Sequence, residues 1–335
     1  MPELQHYLLG DLALESGDVL RGARLTYSTF GQLNAARDNA VLLPSYYTGT
    51  HTSYAPWIGA GRALDPATHF IVGVNLFGNG LSTSPSNSTH QPGKAFPHVT
   101  LGDNVYAQQQ LLSQALRIDS LALIAGWSMG AMQAFHWAIH YPEQVRSMLA
   151  ICGSARCWPL NQVFLQGVRG ALQADNTFNG GDYLLPPERG LRAFGRAYAS
   201  WAYSAEFFRD GLYKGMGFDS LDDLLNDWEL DHCQHDANDL LAVLWAWHDA
   251  DPSRSRHGGR LADALEQVSA RCVIMPSTTD AYFTLDEARI EYDSLTNADW
   301  RPLASPYGHC AGAPGRFANE HTAVDQAIRQ LLNCP

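Results

Sequence analysis

Leu121-Ala122-Leu123-Ile124-Ala125-Gly126-Trp127-Ser128-Met129-Gly130-Ala131 is the stretch that decides the fold. Leu121 to Ala125 is apolar throughout, as a strand covered on both faces of a parallel sheet must be. Ala131 to His140 (AMQAFHWAIH) reads as helix. Between them, Gly126 to Gly130 matches G-x-S-x-G. With a strand entering and a helix leaving, that pattern makes a sharp turn that presents a serine hydroxyl. Small residues on either side let the two backbones pass closely. The helix N-terminus adds positive partial charge beside the serine. The same five residues without those flanks would be an ordinary glycine turn. Ser128 is therefore the candidate nucleophile.

The pattern extends in both directions. Upstream, Ala40 to Pro44 and Phe70 to Val74 are two more short apolar runs, and Val19 to Gly31 alternates as a half-buried strand does. Asp103 to Leu116 carries apolar residues at helical spacing. From about Ser154 to Val268 strand-like runs almost vanish, and aromatic residues and helix formers take over. The α/β grammar returns at Arg271 to Pro276, and Thr322 to Leu332 is a closing amphipathic helix. The expected organisation is an α/β core from residues 1–153 and 270–335, with a helical insertion at 154–269. No internal repeat or low-complexity tract interrupts it.

Composition narrows the partners. Of 335 residues, 46% are hydrophobic and only 17% charged, below the roughly 25% charged of an average soluble protein. Such a chain buries a large core. Its 22 Lys and Arg against 34 Asp and Glu leave a net charge of −12, which gives no general attraction to nucleic acid or an anionic membrane. A small molecule is the expected partner. Met1 to His6 lacks the features of a signal peptide, and no apolar run approaches the roughly 20 residues of a membrane span. The cysteines (Cys152, Cys157, Cys233, Cys272, Cys310, Cys334) are scattered and read as reduced thiols of a cytoplasmic protein. The aromatic residues of the insertion (Trp201, Trp228, Trp245, Trp247) read as lid core rather than a cofactor box, and any of the lid's aromatics left exposed would suit a homodimer.

A serine hydroxyl needs a base to take its proton. After a nucleophile in this setting the acid follows, then the histidine. Asp280 lies just beyond the buried run Cys272 to Met275, and His309 lies in the loop Tyr307-Gly308-His309-Cys310 before the last helix. The expected triad is Ser128, His309 and Asp280, with Asp286 and Asp293 as fallback acids inside a following helix. Two backbone N–H groups should hold the oxyanion: that of Met129, and that of Tyr47 with Tyr46 close behind, from the loop Ser45 to Gly49. Asp231-His232-Cys233-Gln234-His235-Asp236 has the residue types of a metal site but no known ligand spacing, and reads better as a helix start. Gly78-Asn79-Gly80 is not a dinucleotide fingerprint. Neither metal nor redox cofactor is expected.

With these residues placed, the chain resembles the homoserine O-acetyltransferase family of α/β-hydrolase proteins, from about Gly10 to the last helix. The resemblance runs through Leu25-Thr26-Tyr27, Asn39 to Leu42, Asn75 to Gly80, Phe96 to Thr100, Gly126 to Gln133, Tyr141-Pro142 and Asp236-Ala237-Asn238. It implies an α/β-hydrolase fold (a mostly parallel sheet flanked by helices), the same triad, and an acyl-enzyme reached by a tunnel under a helical lid. Three departures fall at the expected pocket. Trp127 and Ala131 replace family glycines, Cys310 follows the histidine where the family has aspartate, and an Asn-x-x-Glu-x-x-Arg stretch is only partly kept around Gln166, Arg169 and Asp175. Tyr46, Trp127 and Arg169 are candidate substrate contacts. The expectation is a carboxylesterase acting on short-chain, acetyl-type esters. The alternatives are a homoserine O-acetyltransferase using acetyl-CoA and an alcohol acceptor, and a non-catalytic binding protein on the same fold.

Overall fold

Each apolar run of the sequence becomes a strand in the computed structural model, which describes residues 3–333. The N-terminal half holds β1 (Gln5–Ala13), β2 (Val19–Phe30), β3 (Ala40–Pro44), β4 (Phe70–Val74), α1 (Leu101–Gln110), β5 (Leu123–Trp127), α2 (Met129–His140) and β6 (Ser147–Ile151). A helical stretch follows: α3 (Pro159–Gln173), α4 (Glu188–Ala202), α5 (Ala205–Arg209), α6 (Leu221–His232), α7 (Ala237–His248), α8 (Arg254–His257) and α9 (Leu261–Glu266). The chain ends with β7 (Arg271–Met275), α10 (Leu285–Asp293), β8 (Ala298–Trp300) and α11 (Ala318–Leu332).

The strands make one eight-stranded sheet in the order β1-β2-β4-β3-β5-β6-β7-β8. Strands β4, β3, β5, β6, β7 and β8 run parallel, while β1 and β2 are antiparallel to their neighbours. Because side chains alternate across a strand, each apolar run divides between two cores. Leu42, Val72, Ile124, Met148 and Ile274 face the layer containing α1 and α2. Val41, Leu43, Ile71, Leu123, Leu149, Val273 and Met275 face α11, through Val324, Ala327, Ile328 and Leu331. Burial on both faces is why these strands are apolar at every position. Helix α2 is buried on all sides but its last residue, which suits its lack of a polar face.

Several expectations shift. Strand β6, which no local pattern separates from its surroundings, is five buried residues paired with both β5 and β7. Strands β1 and β8 add to the expected set. The first is exposed at alternate positions and the second is only partly buried, so neither has a continuous apolar run. Helix α1 begins at Leu101, where the Thr100 side chain and Asp103 make a reciprocal capping box. Among the described residues, no helix is long and apolar enough to cross a membrane. The aromatic residues of the helical stretch pack inward, as lid core should: Phe164, Phe194, Tyr198, Tyr203, Phe207 and Trp247 form a third core, with Trp201 and Trp228 packed against it. Val163, Leu184 and Leu185 are exposed apolar residues of the insertion. Cys152, Cys157, Cys272 and Cys310 are buried free thiols and Cys233 is half-buried. Cys334, like Met1 and Pro2, lies outside the described residues.

Candidate active site

Open parallel sheets place ligands beyond the carboxyl ends of their strands, and the candidate residues gather there. Ser128 follows β5, Tyr46 and Tyr47 follow β3, Asp280 follows β7, and His309 sits in a short 3₁₀ turn, Gly308–Gly312, before α11. Ser128 has φ 58° and ψ −126°, a strained conformation that a non-glycine residue keeps only when its surroundings enforce it. The enforcement is steric and covers both glycines of the motif. A Cβ on Gly126 would collide with the backbone of Gly130 and Ala131. A Cβ on Gly130 would strike the Tyr54 hydroxyl and come within 2.7 Å of the Pro44 carbonyl oxygen. The Ser128 N–H remains tied to the sheet, donating to the Ile151 carbonyl at 2.9 Å.

From that turn a hydrogen-bonded chain runs through three loops. Ser128 Oγ lies 2.8 Å from His309 Nε2, and His309 Nδ1 lies 2.7 Å from Asp280 Oδ2. The other Asp280 oxygen, Oδ1, accepts the backbone N–H groups of Tyr282 (3.1 Å) and Phe283 (3.0 Å). This fixes which oxygen faces the imidazole. The acid and histidine loops are pinned together by Thr279, whose hydroxyl donates to the Ser305 carbonyl at 2.7 Å and accepts the Gly308 N–H at 3.1 Å. All three side chains are buried. Asp286 and Asp293 lie on α10 instead, the latter paired with Arg289 at 2.8 Å. Asp280 is the carboxylate brought to His309.

Rings enclose the imidazole. The Trp127, Tyr282 and Phe283 rings lie 5.0, 4.6 and 5.4 Å from it, and Trp127 Nε1 donates to the His309 carbonyl at 3.2 Å. Cys310, the neighbour of His309, is buried against Tyr203. Burial raises its thiol pKa, so it stays protonated and is a poor competing nucleophile. A cavity of about 530 Å³ opens over Ser128 and His309, walled by Tyr46, Tyr47, Trp127, Tyr198, Trp228 and Tyr282. Its polar lining includes Asp227, Asp231 and Arg316, the last donating to the Tyr203 hydroxyl at 2.8 Å. Among the described residues, the backbone N–H groups of Tyr47 and Met129 have no acceptor. The Tyr47 ring stacks on Tyr198 at 5.9 Å, and Thr48 beside it has φ 60°.

One candidate substrate contact lies apart from this cavity. Arg169 lies on the outer side of α3, bonded to Gln173 at 3.2 Å, and lines a different cleft with His98, Gln166, Trp245 and His248. Helical geometry carries it there: Val168 takes the buried face, and the next position turns outward. The Asp231 to Asp236 stretch ends α6 and starts α7, where Asp236 Oδ1 accepts the N–H groups of Asn238 and Asp239. Among the described residues, no group of three or more metal-ligating side chains converges. Sequence reading misses Tyr198, Tyr282 and Arg316 and sees in Trp228 only lid core, because scattered aromatic and basic residues carry no spacing that marks a wall. Tyr282 and Phe283 do carry a signal: an aspartate two and three residues before two N–H groups is the pattern of an Asx turn.

Residues 40–210 match the model of the alpha/beta hydrolase fold family. The chain belongs to that family. It is 37% identical over 332 residues to the ethyl acetate hydrolase of Pseudomonas veronii, covering 98% of this chain and 95% of the relative. The crystal structure of the acetyl esterase MekB superposes with a TM-score of 0.96 at 36% identity, covering 99% of this chain and 97% of that one. The homoserine O-acetyltransferase of Caulobacter vibrioides is 31% identical, covering 96% and 92%. This hydrolase-family chain is therefore an enzyme whose full-length similarity favours the esterase branch, with the acyltransferases as its neighbours.

Proposed function

We propose that this hydrolase-family enzyme is a carboxylesterase for short-chain acyl esters, acetyl esters first, working through a Ser128–His309–Asp280 triad and an acyl-serine. The observation that carries the reading is the continuous chain Ser128 Oγ–His309 Nε2 (2.8 Å) and His309 Nδ1–Asp280 Oδ2 (2.7 Å), buried beneath the cavity. In the first half-reaction Ser128 Oγ attacks the ester carbonyl carbon as His309 Nε2 takes its proton. The carbonyl oxygen becomes an oxyanion, held by the N–H groups of Met129 and Tyr47. When the C–O bond to the alcohol breaks, His309 returns the proton to the leaving oxygen. Water then enters, gives its proton to Nε2, and attacks the acyl carbon. Collapse restores the Ser128 hydroxyl and releases the acid. Asp280 keeps the proton on Nδ1 throughout and stabilises the imidazolium.

Water is favoured as the acceptor because the esterase relatives share more identity over the whole chain than the transferase does. The transferase reading rests on that same 31% similarity and shares the first half-reaction. Residues 154–269 act in this reading as a lid whose aromatic core closes the cavity. Product partitioning separates the two readings: p-nitrophenyl acetate is supplied with and without L-homoserine, and acetate and O-acetylhomoserine are quantified by mass spectrometry. Acetate alone, unchanged by homoserine, is the expected result. O-acetylhomoserine as the main product would make the protein a transferase.

A further inference from the structure

An oxyanion hole built from two loops works only if something holds the loops at a fixed separation. Here the sheet does not do so directly. The β3–β5 ladder comprises the pairs Val41–Leu123 and Leu42–Ile124, and the two N–H donors, Tyr47 and Met129, lie five residues beyond its last pair. Between the ladder and the donors two buried side chains tie the loops. Gln133 Nε2 donates to the Ser45 carbonyl at 2.7 Å and the Met129 carbonyl at 3.2 Å. Tyr54, at the start of the short helical turn after the β3 loop, acts on the strand ends themselves. Its hydroxyl donates to the Pro44 carbonyl at 3.0 Å and accepts the Trp127 N–H at 3.1 Å. Pro44 is the last residue of β3, and Trp127 is the last residue of β5. The hydroxyl thus replaces a ladder rung where the strands have parted, on the two residues that launch the two halves of the hole.

We propose that Tyr54 is a positioning residue that sets the width of the oxyanion hole. The proposal rests on the reading of Ser128 as the nucleophile. Three further observations support it. Tyr54 is only 1% exposed, so no water stands ready to take over its hydrogen bonds. Gly130, in the first turn of α2, packs against the same hydroxyl so closely that any Cβ there would overlap it, which fixes the start of the helix on the same point. The Tyr54 ring also packs edge-on against Tyr46 at 5.6 Å, and tilted against Trp57 at 4.6 Å. Tyr46 immediately precedes the proposed donor Tyr47, so the ring and the hydroxyl brace the same loop. Burial raises the Tyr54 pKa well above its ordinary value, which keeps the hydroxyl protonated and able to make both bonds.

The test is Tyr54→Phe, which keeps the ring and removes only the hydroxyl. A misplacement near 1 Å in such a site costs about 100-fold, and one oxyanion donor is worth about 10²–10³. The expected fall in kcat on p-nitrophenyl acetate is therefore about 10- to 100-fold, with KM nearly constant. Inhibition by phenylboronic acid, whose tetrahedral adduct on serine needs the hole, should weaken by a similar factor. Inhibition by benzyl alcohol, a neutral analogue of the leaving alcohol that forms no tetrahedral adduct, should not change. Rates are taken per folded molecule, with circular dichroism and thermal melting run alongside, so that a loss of stability is counted separately. Wild-type kcat and boronate affinity in folded Tyr54→Phe would overturn the proposal, as would equal weakening of the boronate and the alcohol. Ser128→Ala is measured in parallel. If that variant keeps wild-type activity, the reading of Ser128 fails. If it is inactive while Tyr54→Phe behaves as wild type, only the role of Tyr54 fails.

Discussion

Asp280→Asn changes one atom, and the surrounding geometry dictates its effect. Asp280 Oδ1 accepts two backbone N–H groups, from Tyr282 and Phe283. In the variant the amide oxygen must stay in that position, because an NH₂ group there would face two donors and leave both unpaired. The NH₂ is then aimed at His309 Nδ1, 2.7 Å away in the native enzyme. It can only donate, so Nδ1 must become the acceptor and the proton moves to Nε2. That nitrogen, 2.8 Å from Ser128 Oγ, no longer has a lone pair to receive the serine proton. A forced wrong tautomer of this kind costs about 10⁴-fold in kcat, close to 5.4 kcal/mol of barrier. The assay is steady-state hydrolysis of p-nitrophenyl acetate, together with the rate of labelling by a fluorophosphonate probe, which should fall in parallel. The fold should remain intact, because the Asx-turn bonds survive. Activity within about tenfold of wild type in folded Asp280→Asn would refute the tautomer argument. A larger loss in Asp286→Asn or Asp293→Asn would show that another carboxylate serves His309.

Three other outcomes follow from particular contacts. Gly126→Ala drives a Cβ into the backbone of Gly130 and Ala131; urea unfolding should show a loss of about 3 kcal/mol or more. Arg169→Ala should leave kcat/KM unchanged, since its side chain lines a separate cleft; a clear loss on acetyl esters would put Arg169 back among the substrate contacts. Glu291 is buried, accepts the Ala155 N–H at 2.8 Å and Trp158 Nε1–H at 2.7 Å, and has its pKa raised by burial from 4.5 to about 7. The folded protein therefore holds a proton that the unfolded chain releases near pH 4.5, so this group's contribution to stability is full below that pH and is lost as pH rises toward 7. The loss comes to about 3 kcal/mol over that window. Glu291→Gln should flatten that part of the Tm–pH curve, and an unchanged slope would exclude Glu291 as its source.

How much of this is legible in the sequence varies with the physics of each element. Strands β3, β4, β5 and β7 are legible because both faces are buried, which forces a continuous apolar run between turn residues. Strand β6 is equally buried, yet its residues Ser147-Met148-Leu149-Ala150-Ile151 have little β-branched character and do not stand out locally; its pairing with two neighbours defines it. The Ser128 turn, Asp280 and His309 are legible through order along the chain and the ends of strands. The cavity walls are not, because Tyr198, Trp228 and Tyr282 come from distant segments that meet only in the folded protein. Arg169 misleads because resemblance to a family stretch fixes residue types but not the direction a helix turns them. Tyr54 is invisible for a related reason: its hydroxyl matters through Pro44 and Trp127, 10 and 73 positions away in the chain.

The most direct measurement is the site of the acyl group itself. The enzyme is mixed with p-nitrophenyl acetate, quenched in acid during turnover, digested and mapped by tandem mass spectrometry. One acetyl group on Ser128, absent from Ser128→Ala, together with a fall of about 10⁴-fold in turnover in that variant, is the predicted result. Acetylation of a different residue on the pathway to product, or undiminished turnover in Ser128→Ala, would contradict the assignment of Ser128 as the nucleophile.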